Sequence, residues 1–195
     1  MPAYGLARLG DRSRGAGEIL VSVPADPAAE LVTVLDEFGS PCGIASRADV
    51  RRDNLLHGAT ATLVRRADGG VYVHRRTLTK DIYPGAFDCW AGGVLAVGEA
   101  PDDGARRELA EELGIRGVVL CPLLVTRWAD AGVRAIYHVY EAQWDGPVVH
   151  QESEVAWGEW WSLSRLADRL RDPDFPFVPD GRRLAELAGL LPASA

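Results

Sequence analysis

Cysteine is scarce in this chain of 195 residues: Cys42, Cys89 and Cys121 are the only ones, an odd number, widely spaced and without a CxxC pair. That argues against a disulfide framework and against a cysteine-held zinc site, and reduced thiols in a cytoplasmic protein are the expectation. Long apolar runs are missing too. No stretch reaches the ~18 residues of a membrane-spanning helix. The N-terminal segment MPAYGLARLGDRSRGAGEILVSV carries basic residues, but its apolar run is too short and broken for a signal peptide. Positive charge is in deficit: 21 Lys and Arg against 28 Asp and Glu leave a formal net charge of −7. Sequence-independent binding to a nucleic acid duplex needs clustered cations and is disfavoured. A small phosphorylated partner needs only a local basic pocket and is not. Internal repeats are absent.

Hydrophobic residues make up 47% of the chain and charged residues 25%, material for one globular domain with decorated ends. Residues 1–27, rich in Gly, Pro and Ala with scattered Arg, read as a flexible or loosely docked arm; residues 28–195 read as the folded domain. In it, 31–35 and 43–46 flank turn residues at 36–41 and predict an N-terminal β-hairpin. Residues 57–65 and 71–75, separated by the turn AlaAspGlyGly at 67–70, predict a second hairpin. The stretch 77–90 reads as a loop and 91–97 as a short strand. A helix is predicted over 101–113, with Pro101 at its first position and Gly114 as its left-handed stop. Strands follow at 118–126 and 135–144, then C-terminal helices at 163–170 and 182–191. The pattern is α+β.

The informative stretch is GVLAVGEAPDDGARRELAEELGI, residues 93–115. On a helix, Glu108, Glu111 and Glu112 stand at i, i+3 and i+4 and are expected on one face. A solvated acidic face is the plain alternative. Against it, like charges at this spacing repel by a few tenths of a kcal/mol. The last helical turn also disfavours anions by roughly 0.3–1 kcal/mol each. Arg107 can offset one charge, but no Lys or Arg stands at 109–115. Hard oxygen ligands without His or Cys suit Mg²⁺, with Mn²⁺ possible.

This stretch resembles the Nudix box, G-x5-E-x7-R-E-U-x-E-E-x-G-U, where U is a bulky aliphatic residue. Gly93, Glu99, Arg107, Glu108, Leu109, Glu111, Glu112, Gly114 and Ile115 fill its fixed positions. The resemblance implies a mixed β-sheet sandwiched between helices and a metal-dependent hydrolase that attacks a small-molecule diphosphate with water. It implies that Glu108, Glu111 and Glu112 hold the metal, that Gly93 offers a backbone carbonyl, and that Glu99 and Arg107 pair behind them to fix loop against helix. The catalytic set is then Glu108, Glu111, Glu112, Arg107 and a general base from the second half of the chain, Glu154 in preference to Glu152. Arg75, Arg76 and Lys80 are expected to meet the phosphates, against the alternative of ordinary surface charge.

The flanks LDEFG, LLHGATATL and RRTLTKDIYPGAFD are similar to the Nudix branch that includes isopentenyl-diphosphate isomerase and its hydrolase-like relatives. The isomerase is the rival reading, but Gly92 stands where its cysteine would fall and Ala135 near where its glutamate would fall. His57, which matches an isomerase metal position, is expected in a supporting role. A catalytically silent Nudix module is a third reading. Most of the aromatics after the box are expected in the core or an interface, and a homodimer is a fair expectation.

Overall fold

The computed structural model describes residues 26–191. The expected arm over 1–27 therefore lies almost wholly outside the described residues. The chain forms β1 (Leu31–Leu35), β2 (Pro41–Ser46), α1 (Arg47–Arg52), β3 (His57–Arg65), β4 (Val71–Arg76), β5 (Phe87–Asp88) and β6 (Trp90–Ala91). It continues with α2 (Pro101–Glu112), β7 (Leu120–Ala129), β8 (Arg134–Gln143), β9 (Val155–Trp161), α3 (Leu163–Arg171) and α4 (Pro179–Leu187). The first hairpin forms as expected, β1 against β2 antiparallel from Leu31↔Ser46 onward. Its turn is closed by Asp36, whose Oδ1 accepts from the Phe38 and Ser40 amides at 2.9 and 2.8 Å.

The second expected hairpin is a fork. β3 and β4 meet at Arg65↔Val71 and then separate. β3 runs parallel to β8 from His57↔Ala135 to Arg65↔Gln143, whereas β4 runs antiparallel to β9 from Val71↔Trp161 to Arg76↔Val155. The near-continuous burial of β3 is what a strand covered on both faces requires. Leu109, Leu113 and Ile115 of α2 and the loop after it pack on one face with Val64, Tyr72 and Ala142. Leu166 and Leu170 of α3 and Leu184 of α4 pack on the other with Ala61, Leu63, Val73 and Val139. The result is the α+β arrangement expected, a mixed sheet between helices. Among the described residues no helix is long and apolar enough to cross a membrane.

Several local expectations are corrected. The strand expected over 91–97 is reduced to Trp90–Ala91, which pairs with β3 at Leu63 and Thr62. Beyond it only isolated bridges form, at Val94 and Ala96, because Gly92 and Gly93 carry the chain too close to β3 for a regular ladder. The loop 77–90 contains β5, which pairs with β4. Helix α1 was not anticipated, although Ser46 caps it by accepting from the Asp49 amide at 3.1 Å. Strand β9 was not anticipated either, and α4 begins earlier than expected, at Pro179. Helix α2 ends as expected, with Gly114 at φ +67°.

Candidate active site

Helix α2 presents its acids unequally. Glu112 and Glu108 are buried, 3% and 9% exposed, while the Glu111 side chain is 50% exposed. The expectation of a common face is corrected here. At 100° per residue, Glu111 lies about 100° around the axis from Glu112. Arg107 organises the cluster. It grips Glu99 in bidentate fashion, Nε to Oε1 at 2.8 Å and Nη2 to Oε2 at 2.9 Å. Its Nη1 donates to Glu108 Oε1 at 2.8 Å and to Glu111 Oε2 at 3.2 Å. Glu99 also accepts from the Ala96 amide at 3.0 Å. Arg107 and Glu99 thereby tie the 94–99 loop to α2.

The buried acids face the glycine pair. Glu112 Oε2 accepts from the Gly92 amide at 3.1 Å. A Cβ on Gly93 would stand 2.4 Å from Glu108 Oε1, so only glycine permits this approach. The Gly93 carbonyl already accepts from the Thr60 amide at 2.9 Å, which leaves it one lone pair. Burial pushes Glu108 up to about 7, with Arg107 opposing. Burial also pushes Glu112 well above the usual carboxylate range, and the charges of Glu108 and Glu154 add to the rise.

Glu154 reaches this cluster from the turn before β9. That turn is pinned to the end of α2: the Gln151 amide donates to Glu112 O at 3.1 Å, and Glu154 N donates to Gln151 O at 2.9 Å. Lys80 Nζ sits 2.5 Å from Glu154 Oε2. Burial alone would raise Glu154, but the Lys80 charge and hydrogen bond overcome it and hold the carboxyl below its usual value. Glu152 is exposed on the same turn.

The expected basic trio divides. Arg76 and Lys80 line a cleft of about 640 Å³, the space at its open mouth included. Arg75 does not line it. Its Nε donates to Gly85 O at 2.9 Å and its guanidinium lies 5.8 Å from the Phe87 ring centroid. Neighbours on a strand point to opposite faces, so only one of the two arginines can enter. The cleft stops at the Gly92–Gly93 backbone, and the α2 acids do not line it. Arg76 and Lys80 join the two regions, since both act on the Glu112 charge.

Arg47 and Arg51 of α1 also line the cleft, and the sequence reading missed both. Their i, i+4 spacing was the available signal. His57 lines it as well, with Nδ1 2.9 Å from Leu55 O. Burial pushes its pKa down to about 4. His57 therefore supports the cleft wall and touches none of the α2 acids. Of the aromatics after the box, Trp161 and Tyr140 are buried as expected, and Trp157 is 39% exposed. Among the described residues no group of three or more His, Cys, Asp or Glu is already arranged as a metal cage.

Comparison with known proteins places this geometry. The family model described as NUDIX domain matches residues 55–181. The chain is 44% identical over 169 residues to an uncharacterised Nudix hydrolase, orf19, of Rhodococcus erythropolis, which spans 82% of this chain and 91% of that one. It is 37% identical over 156 residues to the Nudix hydrolase SCO1686 of Streptomyces coelicolor, 79% of this chain and 85% of that one. The crystal structure of DR0079 from Deinococcus radiodurans shares the fold, with a TM-score of 0.67 at 24% identity over 82% of this chain and 97% of that one.

Proposed function

This chain belongs to the Nudix family, and on that premise we propose that it is a metal-dependent hydrolase opening the diphosphate (P–O–P) linkage of a small molecule with water. The observation that carries the reading is the burial of Glu108 and Glu112 beside Glu154, where Arg107 and Lys80 leave both α2 acids pushed upward. Taking carboxylates out of water without matching charge costs several kcal/mol. A divalent cation offsets that cost. An all-oxygen donor set fits Mg²⁺, and Mn²⁺ next. Glu108 and Glu112 would hold it, with Glu111 reaching in from the rim and the Gly93 carbonyl offering its remaining lone pair.

When bound, the cation neutralises diphosphate oxygens and acidifies a water molecule. The chain's own residues do the rest. Lys80 and Arg76 bind phosphate oxygens at the mouth shared by the cleft and the acid cluster. Glu154, kept ionised by Lys80, accepts the proton of the attacking water. The Arg107–Glu99 pair holds α2 against the glycine loop, so that the carboxylates are oriented before substrate arrives. Unpaired Cys42, Cys89 and Cys121 fit a reducing, cytoplasmic setting.

Isopentenyl-diphosphate isomerase activity is the second reading, favoured by the flanking resemblance and by His57 in the cleft wall. Two features weigh against it. A Cβ at Gly92 would stand 2.1 Å from Thr60 O, so no cysteine fits there. Cys89 is 2% exposed in the core, and Ala135 is fully buried with no acid to offer.

The test is incubation with Mg²⁺ and a panel of diphosphates. The expected outcome is Mg²⁺-dependent release of phosphate or nucleotide, lost in Glu112→Gln. Binding without turnover of any compound would indicate a silent module and overturn the proposal. Interconversion of isopentenyl and dimethylallyl diphosphate without phosphate release would assign the isomerase.

A further inference from the structure

The chain between β4 and β5, residues 77–86, crosses one side of the cleft as a strap whose ends are drawn together. Backbone hydrogen bonds fix its neck: Arg76 N to Ala86 O at 2.9 Å, Thr77 N to Glu154 O at 3.0 Å and Gly85 N to Thr77 O at 3.1 Å. Its tip is held differently. Among the described residues no backbone–backbone hydrogen bond ties 78–84 to another element. Side chains hold it instead: Lys80 on Glu154, Asp81 facing Arg51 at 3.6 Å, the Ile82 carbonyl accepting from Arg76 Nε at 3.1 Å, and Tyr83 on Asp130. Lys80, Ile82 and Tyr83 of this tip form a wall of the cleft.

Tyr83 stands at φ +48°. The left-handed region is unfavourable for an aromatic residue, and the ring of Pro84 also biases the residue before it toward extended backbone. Such strain persists only where the surroundings enforce it. The Tyr83 ring packs with Ile82 against Ala59, Val133 and Ala135, and its hydroxyl donates to Asp130 Oδ2. Asp130 is a fixed anchor in the turn between β7 and β8. Its Oδ1 accepts from the Gly132 and Val133 amides, both at 2.7 Å, and its carbonyl accepts from Asn54 Nδ2 at 2.8 Å. Burial raises the Asp130 carboxyl, but the Tyr83 hydroxyl and these two amides outweigh it and keep it below its usual value. A strained tip is thus fastened to a rigid turn by a charge-assisted bond. We propose that Tyr83 and Asp130 form a latch on a moving strap. Fastened, the latch holds Tyr83 and Lys80 over the cleft. Released, Tyr83 relaxes to extended backbone and the tip swings about its neck to admit a ligand. Tyr83 is a positioning residue in this scheme and touches no reacting group. The latch deepens the hydrolase reading and rests on it for the role of Lys80.

The experiment pairs amide hydrogen exchange, which needs no activity, with steady-state kinetics. Tyr83→Phe keeps the ring and deletes the latch. Asp130→Ser keeps a hydroxyl for the turn amides but is too short to reach Tyr83. In either variant the amides of 80–83 should exchange about 10- to 100-fold faster, the factor carried by a hydrogen bond to a charged group, with those of β3 and β8 unchanged. Kinetics use ADP-ribose in Mg²⁺, or the compound of the diphosphate panel that is turned over fastest. KM should rise about three- to tenfold, because only molecules with the strap closed bind fully. The value of kcat should stay within about twofold, because bound phosphate then holds Lys80 in place. The double variant should lose no more than either single one, as expected for two residues acting through one contact. Unchanged exchange at 80–83, faster exchange throughout the fold, additive losses, or a fall in kcat at constant KM overturns the latch and leaves the hydrolase reading standing. If no diphosphate is turned over, the hydrolase reading fails and exchange alone decides the latch: acceleration confined to 80–83 supports it, and any other pattern overturns it. Should Tyr83→Phe fail to fold, Asp130→Ser carries the decision by the same measurements.

Discussion

Glu112 and Asp88 are both buried carboxyls, and their environments give them opposite uses. In the hydrolase reading the Gly92 amide and the Lys80 and Arg76 charges do not offset the burial of Glu112, so its charge is a liability when no metal is bound. Glu112→Gln should therefore lower kcat by at least about 100-fold while raising the thermal midpoint in chelator at pH 8, read by calorimetry. A fall in that midpoint would mean that the carboxylate is satisfied without metal. Asp88 is pushed up to about 7 by burial, with the Asp180 charge adding. A carboxyl raised in the fold binds its proton more tightly folded than unfolded. Its contribution is thus fully present below the unfolded value of 3.8 and is lost as pH rises through about 7. The loss amounts to about 4 kcal/mol. Wild-type stability should fall between pH 5 and 8 by urea titration, and Asp88→Asn should flatten that slope. At this scale Arg75 and Arg76 also teach something. The period-2 alternation of a strand already required them to face apart, but which of the two enters the cleft depends on how the strand is paired and covered.

At the scale of elements, the glycine pair between β6 and α2 sets how close the catalytic helix comes to the sheet. A Cβ at Gly92 would meet the backbone of β3, with Thr60 O at 2.1 Å and the Ala61 Cα at 3.0 Å. Backbone cannot swing aside as a side chain can. Gly92→Ala should cost about 3 kcal/mol in urea unfolding, the upper part of the range for overpacking. A value near zero would show that the loop shifts freely. Arg107 bridges the same join from the other side, and its fork cannot be copied by an ammonium. Arg107→Lys should lower kcat about 10- to 100-fold with folding retained on circular dichroism. The box itself was legible because its residues lie within one short stretch and resemble a known family pattern, although only Arg107 to Glu112 of them lie on the helix. β9 was not read, though VAWGEWW carries the aromatic residues favoured in strands. Its pairing with β4 is what opens the expected hairpin into a fork.

At the scale of the whole molecule, the fork lets one sheet carry α2 on one face and α3 and α4 on the other. The acid cluster and the cleft therefore lie on either side of the Gly92–Gly93 backbone, joined by Lys80 and Arg76. A cation bound to the acid cluster is bound by the fold and not by the unfolded chain. Mg²⁺ at about 100 times its Kd should add about 2.7 kcal/mol and raise the thermal midpoint about 5–10 °C. No shift in Mg²⁺ or Mn²⁺ would count against metal at this site. The substitution Trp161→Ala probes the other layer. Trp161 is 3% exposed and packs with Leu166 and Phe175 beneath the fork, so its loss should cost about 3–5 kcal/mol by the same unfolding measurement.

Sequence alone determined the acid helix, its Pro101 start and Gly114 stop, and the α+β class; the Arg107–Glu99 pairing came only through the family resemblance. Each rests on residues close in the chain, where backbone geometry leaves few choices. Tertiary structure decided that Glu111 sits at the rim, that Lys80 meets Glu154 across 74 positions, that Arg75 turns away, and that Arg47 and Arg51 join His57 and Asp88 in one cleft. Those meetings depend on which strands pair and on how closely two glycines let a helix approach. No local propensity encodes either of them.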